Sequence, residues 1–270
     1  MRRLFSKLAL RVATAVTLVA GAGLAAGLTS SPATAIVGGY QAGQGQFPFM
    51  ASLQLKGDNG TDGHFCGGSV IGSRWVLTAA HCLEGTKPKE IQVAVGRTDI
   101  DDLSRGQTLT ADRIVIHPDY ASTGTYDAAL VRVTSSITAP RVDLASVGQD
   151  TLERDGAALT VAGWGTEFFG SPFIPSRLKA VDVRAVADDK CTTNGLMGFQ
   201  ASSEICAETL GGDSCQGDSG GPLFGTVAGR TVQVGIVSYG LGCATPGFPG
   251  VYAEVNNPSI RSFISSTTGI

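Results

Sequence analysis

A serine between glycines, in Gly217-Asp218-Ser219-Gly220-Gly221, has the residue types and spacing that hydroxyl-based nucleophilic catalysis requires. Such catalysis needs a serine in a tight turn, a histidine to take its proton, a carboxylate to orient the histidine, and amide donors for an oxyanion. The flanking glycines let the N–H groups of Gly217 and Ser219 converge on a substrate carbonyl. A glycine-rich hairpin loop that contains a serine by chance is the alternative interpretation of this motif.

The order of acid, histidine and serine along the chain separates the possible hydrolase types. An α/β-hydrolase needs a histidine after the serine, and none follows Ser219. The subtilisin order needs an acid before the histidine, and Asp58 and Asp62 are available, but the sequence lacks the alternating strand–helix pattern of that fold. The order histidine, aspartate, serine remains.

His81 is the strongest of three histidine candidates, because it ends an apolar strand-like run and is followed by Cys82, which could fix its position. His117 lies in a turn-like segment before a proline, and His64 is interpreted as part of a polar loop. Asp127 directly precedes an apolar strand. An acid so close to a core needs a partner, and a histidine N–H is a suitable one.

Short runs rich in Val, Ile and Leu recur between glycine-rich breaks, which is typical of β-strands. A helical pattern appears only near the end, where Asn256-Asn257-Pro258 can cap a helix with Ile260, Phe263 and Ile264 on one face. Many strands with one terminal helix predict an all-β sandwich or a pair of barrels, with a boundary within residues 135–150. The predicted strands are Ser69–Leu77, Ile91–Val95, Ala128–Val133, Leu159–Ala162, Val181–Val186, Val232–Ser238 and Gly250–Val255.

Composition and charge exclude some classes of function for this protein. Of 270 residues, 43% are hydrophobic and 16% are charged, so the chain can bury a large core. Residues 1–35 contain four basic side chains and no acid, which leaves 16 basic against 23 acidic side chains in the remainder, a net charge of −7. An acidic body without a basic stripe argues against nucleic acid and anionic membranes as partners.

The first 35 residues have the form of a secretory signal peptide. A basic start is followed by the uncharged stretch Val12–Leu28 and by Ala33-Thr34-Ala35, a small-x-small cleavage motif. A membrane anchor is the alternative, but the stretch is shorter than the roughly 20 apolar residues of a span and is diluted by Gly, Ala and Thr. Because the polar residue expected before Arg2-Arg3 is missing, the ordinary secretory route is favoured over the twin-arginine route.

The cysteines of an exported chain are expected to form disulfides. All six follow residue 35, so three disulfides are predicted, but many pairings are possible and the spacing alone does not choose among them. Zinc ligation is disfavoured, because the sequence has no C-x-x-C and no H-E-x-x-H motif and its three histidines are scattered. The cysteines are Cys66, Cys82, Cys191, Cys206, Cys215 and Cys243.

Several further segments, taken with these residues, resemble the trypsin branch of the chymotrypsin-like serine proteases, and among them the secreted trypsins of actinomycete bacteria. They span almost all of residues 36–270 in the order of the family, so their joint occurrence is much more specific than any one of them. The segments are Ile36-Val37-Gly38-Gly39, Cys66-Gly67-Gly68-Ser69, Leu77–Cys82, Tyr126–Leu130, Ala162-Gly163-Trp164-Gly165, Asp213–Pro222 and Gly235–Ser238.

The resemblance implies an all-β fold of two six-stranded antiparallel β-barrels, with the active site in the cleft between them and a C-terminal helix. The first barrel is expected at about 36–140, the second at about 141–255 and the helix at about 257–266. Residues 1–35 would be the signal peptide, with or without a short propeptide. The implied disulfides are Cys66–Cys82, Cys191–Cys206 and Cys215–Cys243.

The resemblance also implies a secreted serine endopeptidase that cleaves after Arg or Lys through an acyl-enzyme. His81 would be the general base and then the general acid, Asp127 its orienting carboxylate and Ser219 the nucleophile, with the N–H groups of Gly217 and Ser219 as the oxyanion hole. Asp213 would lie at the base of the primary pocket, where a buried carboxylate needs a cationic substrate side chain. The other implied substrate-binding residues are Ser214, Gln216, Ser238, Tyr239, Gly240 and Gly250.

Members of this family become active when a cut frees an Ile-Val-Gly-Gly terminus, whose ammonium pairs with the acid before the nucleophile. Here these residues are Ile36 and Asp218. Because Ala35 precedes the terminus, self-activation by a protease specific for Arg or Lys is not expected. Either signal peptidase cuts directly after Ala35, or an earlier cut near Ala25 or Ala26 is followed by trimming by another protease.

Two departures from the family pattern concern binding sites. Tyr239 stands where a tryptophan is usual, which leaves the preference beyond the primary pocket open. In the loop Gly96–Gln107, Arg97 and Gln107 stand where the vertebrate calcium loop has acidic ligands, so no metal site is expected to carry over. The three aspartates of this loop offer another way to bind calcium, but a solvated acidic turn is the commoner outcome.

The expected partners are protein or peptide substrates with Arg or Lys before the cleaved bond, together with proteinaceous protease inhibitors. No cofactor is needed, and a monomer is expected. Two other function classes stay open. A protease-shaped binding protein without catalysis is disfavoured by the intact His81, Asp127 and Ser219, and a general esterase would have no use for the Asp213 carboxylate.

Overall fold

The computed structural model describes residues 36–193 and 198–270, so the predicted signal peptide lies outside the described residues. The strands in these ranges are β1 Tyr40–Gln41, β2 Met50–Leu55, β3 His64–Gly72, β4 Trp75–Thr78, β5 Ile91–Val95, β6 Gln107–Ile116, β7 Ala129–Val133, β8 Asp143–Leu144, β9 Ala158–Gly163, β10 Lys179–Val186, β11 Glu204–Glu208, β12 Pro222–Val227, β13 Arg230–Tyr239 and β14 Gly250–Glu254. The α-helices there are α1 Gly60–Gly63, α2 Tyr120–Thr123, α3 Asp188–Thr193 and α4 Pro258–Thr268. Short 3-10 helices cover Pro88–Glu90 and Asp150–Leu152.

The first barrel is closed by six antiparallel strands in the order β2-β3-β4-β7-β6-β5. Its register places apolar residues of neighbouring strands side by side: Leu53 of β2 pairs with Val93 of β5, and Val76 of β4 pairs with Val131 of β7. All four side chains are completely buried. Burial of such branched side chains stabilises the barrel by about 1.5–3 kcal/mol each.

The second barrel is closed as well. Its strands follow the order β10-β11-β14-β13-β12-β9, and β9 pairs back with β10. The short strands β1 and β8 are added at the outside of this barrel, where β1 pairs with β10 and β8 runs parallel to β13. The expected fold of two six-stranded antiparallel β-barrels with a C-terminal helix is therefore confirmed.

The segment before β2 belongs to the second barrel, although the sequence-based division placed residue 36 at the start of the first. Val37 and Asp213 exchange two backbone hydrogen bonds of 3.1 Å, and Tyr40 pairs with Ala180 of β10. The physical reason is that the backbone N–H and C=O groups of this segment form their hydrogen bonds with β10 and with Asp213. The N-terminal segment is thereby attached to the wall that carries Asp213.

The C-terminal helix α4 begins where the sequence predicts a cap and extends two residues beyond the expected end at 266. The side-chain oxygen of Asn257 accepts hydrogen bonds from the N–H groups of Ser259 and Ile260 at 2.8 and 3.2 Å. Gly269 ends the helix in the left-handed conformation, with φ of 78°. The apolar face packs into the main core cluster through Ile260, Phe263 and Ile264.

All three implied disulfides are present, namely Cys66–Cys82, Cys191–Cys206 and Cys215–Cys243. The first joins β3 to the segment that follows β4, and the third joins the segment before Ser219 to the segment after β13. These two bridges therefore fix segments that carry predicted site residues. Of the helices that the structure describes, none is long and apolar enough to cross a membrane.

Candidate active site

The pairing of β4 with β7 brings His81 next to Asp127. Thr78 at the end of β4 pairs with Ala129 at the start of β7, so the residues that follow β4 and precede β7 leave the barrel at the same edge. Oδ2 of Asp127 lies 2.7 Å from Nδ1 of His81, and Oδ1 accepts the backbone N–H of His81 at 2.9 Å. Ser238 of β13 adds a hydroxyl donor at 2.6 Å from Oδ2, across the cleft from the second barrel.

The surroundings of Asp127 keep its carboxylate charged. Its exposure is only 4%, and this burial acts to raise its pKa. Hydrogen bonds from His81 and Ser238, together with the charge of His81, outweigh the burial and hold the pKa below its ordinary value. An ionised carboxylate only accepts hydrogen bonds, so Nδ1 of His81 carries the proton and Nε2 is left as the acceptor for a hydroxyl proton.

Close contact between the two barrels positions Ser219. Its carbonyl oxygen accepts the N–H of Gly67 on β3 at 2.8 Å and lies 3.7 Å from Sγ of Cys82, the chain neighbour of the histidine. Gly220 makes this approach possible, because its φ is +79° and a Cβ there would collide with the Thr78 hydroxyl. Ser219 is therefore placed beside the segment that carries the histidine.

The carbonyl of Gly217 is held by a histidine that the sequence interpretation had left aside. Nε2 of His64 donates to this carbonyl at 3.0 Å, and Nδ1 of His64 lies 2.8 Å from the hydroxyl of Ser52. Burial lowers the pKa of His64 to about 4, so its ring is neutral at physiological pH. Because the carbonyl can only accept, Nε2 carries the proton and Nδ1 accepts from Ser52. These bonds fix the peptide unit between Gly217 and Asp218, just before Ser219.

The expectation that His64 lies in a polar loop is wrong. It is the first residue of β3, its exposure is 5%, and its ring packs edge-on against Trp164 at 5.9 Å between centroids. The polar run before His64 ends in the short helix α1, which stops one residue before His64. The sequence does contain a signal for a strand at His64, because no glycine or proline separates it from Cys66, which lies in the same strand.

A cavity of about 210 Å³ opens between Asp213 and Ser219. Asp213 is 8% exposed, and its carboxylate accepts the N–H groups of Ser214 at 2.8 Å and Ala244 at 3.0 Å. Burial raises the pKa of Asp213 to about 6, and no lysine or arginine in the described ranges forms an ion pair with it. The lining residues are Phe169, Asp213, Ser214, Cys215, Gln216, Ser219, Val237, Ser238, Tyr239, Gly240, Gly242 and Gly250.

All the substrate-binding residues implied by the resemblance thus line one cavity. A larger cavity of about 630 Å³ shares Asp213 and Gly250 but is not lined by Ser219. Reacting groups need to lie within reach of a nucleophile, so the smaller cavity is the candidate site. A larger residue at Gly250 would crowd one wall of this cavity, because a Cβ there would lie 3.0 Å from both Oδ1 of Asp213 and the hydroxyl of Tyr252.

Tyr239 forms part of the cavity wall and is tied to the protein behind it. Its hydroxyl donates to Oε2 of Glu204 at 3.0 Å, and the same oxygen accepts the N–H of Gln200 at 2.7 Å. Glu204 is buried, with an exposure of 3%. A tyrosine in place of the usual tryptophan therefore has a hydrogen-bonded anchor, which sequence reasoning did not identify.

Ile36 and Asp218 are both completely buried. The two carboxylate oxygens of Asp218 each accept a backbone N–H at 2.8 Å, from Gly165 and from Cys215. Burial nevertheless raises the pKa of Asp218 to about 7. In the full chain the nitrogen of Ile36 is a peptide nitrogen, because it is joined to Ala35, and it carries no charge to pair with Asp218.

Residue types that can ligate a metal lie together near His81. The Cys66 and Cys82 sulfurs and a ring nitrogen of His81 lie close together, but the two sulfurs are joined in a disulfide and offer no thiolate. In the loop after β5, Asp101 accepts the N–H of Thr61 at 2.8 Å. That aspartate therefore serves to attach the loop to helix α1.

Comparison with known proteins agrees with this geometry. The family model described as Trypsin matches residues 36–264. Hypodermin-B of Hypoderma lineatum is 39% identical over 254 residues, which cover 93% of this chain and 94% of that protein. Trypsin delta of Drosophila melanogaster is 38% identical over 234 residues, with 86% and 87% covered, and trypsin alpha-4 of Lucilia cuprina is 38% identical over 255 residues, with 93% and 94% covered.

These relatives come from insects, so the narrower resemblance to actinomycete trypsins is not supported by them. The broader resemblance is confirmed, since the family model covers most of the chain. Proteases of this family act on peptide substrates. With the paired His81 and Asp127 of the first β-barrel and the cavity that Ser219 lines in the second, the chain belongs to the trypsin family and is a trypsin-like serine endopeptidase.

Proposed function

We propose that this protein is a secreted endopeptidase that cleaves peptide bonds after Arg or Lys, with Ser219 as nucleophile, His81 as base and acid, and Asp127 as the orienting carboxylate. The observation that carries the proposal is the carboxylate of Asp213, which shares a cavity with Ser219 and has no cationic partner among the described residues. A buried carboxylate without a counter-charge is unfavourable. A guanidinium or ammonium group of the substrate would supply the missing charge.

The reaction follows from the contacts of the three residues. Oγ of Ser219 attacks the carbonyl carbon while Nε2 of His81 takes its proton, and the new positive charge on the ring is stabilised by Asp127 at 2.7 Å from Nδ1. His81 then gives the proton to the departing amine as the C–N bond breaks. A water molecule attacks the acyl-enzyme with the same proton transfers and releases the carboxylic acid and Ser219.

The oxyanion that forms during attack is bound by the N–H groups of Gly217 and Ser219. Gly217 has a φ of +96°, a conformation that favours glycine. The peptide unit that carries its N–H is held through the Gln216 carbonyl, which accepts the N–H of Thr166 at 2.7 Å, and the Gly217 carbonyl on the other side accepts from His64 at 3.0 Å. Donors that are fixed before the reaction stabilise the developing charge without reorganisation.

The role of the pocket is tested by removing the charge of Asp213. In protein that begins at Ile36, the Asp213→Ser variant is expected to lose about 10²–10³-fold in kcat/KM for peptide amides ending in Arg or Lys, since removing one partner of a buried ion pair costs about 3–5 kcal/mol. Amides ending in Phe, Leu or Ala should lose much less. Hydrolysis rates over this matched series provide the measurement, and equal cleavage after Arg by variant and parent would refute the pocket assignment.

Binding of a cationic ligand is expected to depend on pH through Asp213. Its pKa of about 6 in the empty pocket means that below pH 6 the carboxyl is mostly neutral, so affinity should fall by about tenfold per pH unit there and level off above. Calorimetry with an arginine amide and the Ser219→Ala protein measures this without turnover. The control carries Asp213→Ser in addition to Ser219→Ala and should bind weakly at every pH, whereas constant affinity of the Ser219→Ala protein from pH 4 to 8 would contradict the expectation.

Activity requires a free terminus at Ile36. Both Ile36 and Asp218 are buried, and the pKa of Asp218 is raised by that burial, so an ammonium at Ile36 would provide the charge that the carboxylate lacks. The pairing would hold the segment Asp218–Gly221 in the shape that aims the Gly217 N–H at the oxyanion. Signal peptidase acting after Ala35 would release this terminus directly.

The direct route predicts that the first exported species begins at Ile36. N-terminal sequencing of protein collected from the medium immediately after synthesis checks it. A start before Ile36 would refute the direct route and favour an earlier cut followed by trimming. Protein extended by Ala33-Thr34-Ala35 should be far less active than the species starting at Ile36, because it has no ammonium for Asp218.

The proposal includes secretion, which rests on the form of residues 1–35 and on three disulfides that suit an oxidising compartment. We also propose that the protein is a monomer, because the proposed catalytic residues and the cavity come from one chain. Protein inhibitors that present Arg or Lys are proposed to bind the same pocket. No turnover of any peptide amide by correctly processed protein would instead favour a binding protein, and selective turnover of neutral esters would favour an esterase.

A further inference from the structure

His117 is a buried histidine that the proposed reaction does not use. It directly follows strand β6, and its exposed fraction is 2%. Burial lowers the pKa of its ring, so the ring is neutral at physiological pH. Nδ1 accepts the backbone N–H of Asp119 at 3.3 Å, so Nε2 carries the proton of the neutral ring. The ring therefore has one N–H to donate to another part of the fold.

The C-terminal helix α4 and the segment before β7 hold this histidine in place. Nε2 donates to the hydroxyl of Ser259, at the start of α4, over 3.2 Å. Phe263, one turn further along the helix, packs edge-on against the ring, with 5.0 Å between the centroids. The backbone N–H of His117 donates to the carbonyl of Ala128 at 3.0 Å. Both the position and the orientation of the ring are therefore fixed.

The fixed ring stacks on Tyr126, the residue directly before Asp127. The two ring centroids are 5.1 Å apart, and the ring planes differ by only 11°. Tyr126 has a φ of +56°, in the left-handed region that is unfavourable for a bulky side chain. Such a backbone conformation persists only where the surrounding structure holds it. The stacked ring of His117 is a contact that can do so.

The backbone of Tyr126 in turn sets the position of Asp127. The N–H of Ala128 donates to the carbonyl of Tyr126 at 2.7 Å, so Asp127 is the middle residue of a three-residue turn. From this turn its carboxylate reaches Nδ1 and the backbone N–H of His81 at 2.7 and 2.9 Å. A change of φ at Tyr126 would rotate the peptide that leads to Asp127 and would lengthen these two bonds.

We propose that His117 is a positioning residue for Asp127, which it aims at His81 by holding Tyr126 in the left-handed conformation. This inference rests on the proposed function, in which Asp127 orients His81. Neither His117 nor Tyr126 lines the cavity that contains Asp213, so loss of the ring should lower kcat and leave KM nearly unchanged. A displacement of about 1 Å of a catalytic group can lower the rate by about 10²-fold.

Two substitutions of His117 separate the stacked ring from its other contacts. His117→Leu is expected to lower kcat for arginine peptide amides by about tenfold or more, with KM within about twofold of the parent. His117→Phe keeps a ring for Tyr126 and should retain kcat within about threefold. Active-site titration counts only folded protein in each preparation. In NMR spectra, the Nδ1 proton of His81 should shift in His117→Leu and keep its parental position in His117→Phe.

Substitutions of Tyr126 test the same contact from its other side. Tyr126→Ala removes the ring but keeps a Cβ, so it should lose about as much kcat as His117→Leu, even if that variant does not fold. Asparagine enters the left-handed region more readily than other residues with a side chain. In Tyr126→Asn protein, the further exchange His117→Leu should therefore change kcat by less than about twofold. A merely structural role of His117 would give the same loss with Tyr126 and with asparagine.

Val133→Ala is the matched control, because Val133 is completely buried in the first barrel but lies at the end of β7 remote from Asp127. It should lower the thermal stability and keep the parental kcat. Parental kcat in His117→Leu, an equal loss of kcat in the Tyr126→Asn protein, or a rise in KM alone would overturn the inference. An unshifted Nδ1 proton of His81 in His117→Leu would overturn it as well. Inactivity of the parent protein would instead overturn the proposed function, and this inference with it.

Discussion

Replacing Ser219 by alanine is expected to lower kcat for arginine peptide amides by about a million-fold, because the proposed acyl-enzyme forms on the Ser219 hydroxyl. His81 and Asp127 would keep their 2.7 Å contact, since neither of its atoms belongs to Ser219. The cavity should also keep its charge, because Asp213 is unchanged. The variant is therefore expected to bind arginine ligands with nearly the affinity of the parent.

Single-turnover kinetics at high protein concentration would measure the remaining rate. A matched control is Ser214→Ala, which removes a hydroxyl from the same cavity without removing the nucleophile and should leave most of kcat. Should the Ser219→Ala protein retain activity within about a hundred-fold of the parent, a different nucleophile would have to be sought. Loss of arginine binding in this variant would point to misfolding of the loop instead.

An Asp127→Asn substitution is expected to lower kcat by about ten thousand-fold. The aspartate accepts three hydrogen bonds, two from His81 at 2.7 and 2.9 Å and one from the hydroxyl of Ser238 at 2.6 Å. An asparagine amide has one oxygen and one donor group, so it cannot accept from all three. If the amide donates to Nδ1, the proton of His81 moves to Nε2, and the ring can no longer take the proton of Ser219.

The measurement is kcat between pH 6 and 9, together with NMR of the His81 ring protons. The expected signature is a proton on Nε2 in the variant and on Nδ1 in the parent. Asp119→Asn serves as control, because Asp119 is exposed and does not contact His81. A variant with unchanged kcat, or with the proton still on Nδ1, would contradict the role given to Asp127.

Strand positions were predicted well where apolar residues are continuous. The run Ile91–Val95 is a strand with the same bounds, and Leu159–Ala162 and Val181–Val186 lie inside β9 and β10. The predicted single strand Ser69–Leu77 is instead parts of two strands, because the chain turns after Gly72 and Val70 then pairs with Val76. A continuous apolar run does not reveal a turn when both of its arms are buried.

Other strands were missed because polar residues conceal them. In β2, Ser52 and Gln54 are completely buried, yet their residue types suggest a loop. The Ser52 hydroxyl is hydrogen-bonded to Nδ1 of His64, and the Gln54 amide donates to the Ser52 hydroxyl at 3.1 Å, so these buried polar side chains are hydrogen-bonded inside the protein, apart from Oε1 of Gln54. β6 was missed since its polar residues face solvent along an exposed surface.

Residue types and their order determined the chemistry of this protein. The order of histidine, aspartate and serine excluded an α/β-hydrolase, and the missing strand–helix alternation argued against a subtilisin. An even number of cysteines after a basic leader indicated an exported, disulfide-bonded chain. These conclusions need no distances, because each chemical role requires a particular functional group. The segments that carry the family resemblance extended them to the two-barrel fold.

The tertiary structure alone decided which distant residues meet. His64 and Gly217 are 153 positions apart and share a hydrogen bond, and Tyr239 finds its anchor in Glu204. The position of Phe169 on the cavity wall is equally invisible in the sequence. Barrel closure and the packing of one barrel on the other set these contacts through burial and backbone pairing between strands remote in the chain, and no local pattern of residues encodes them.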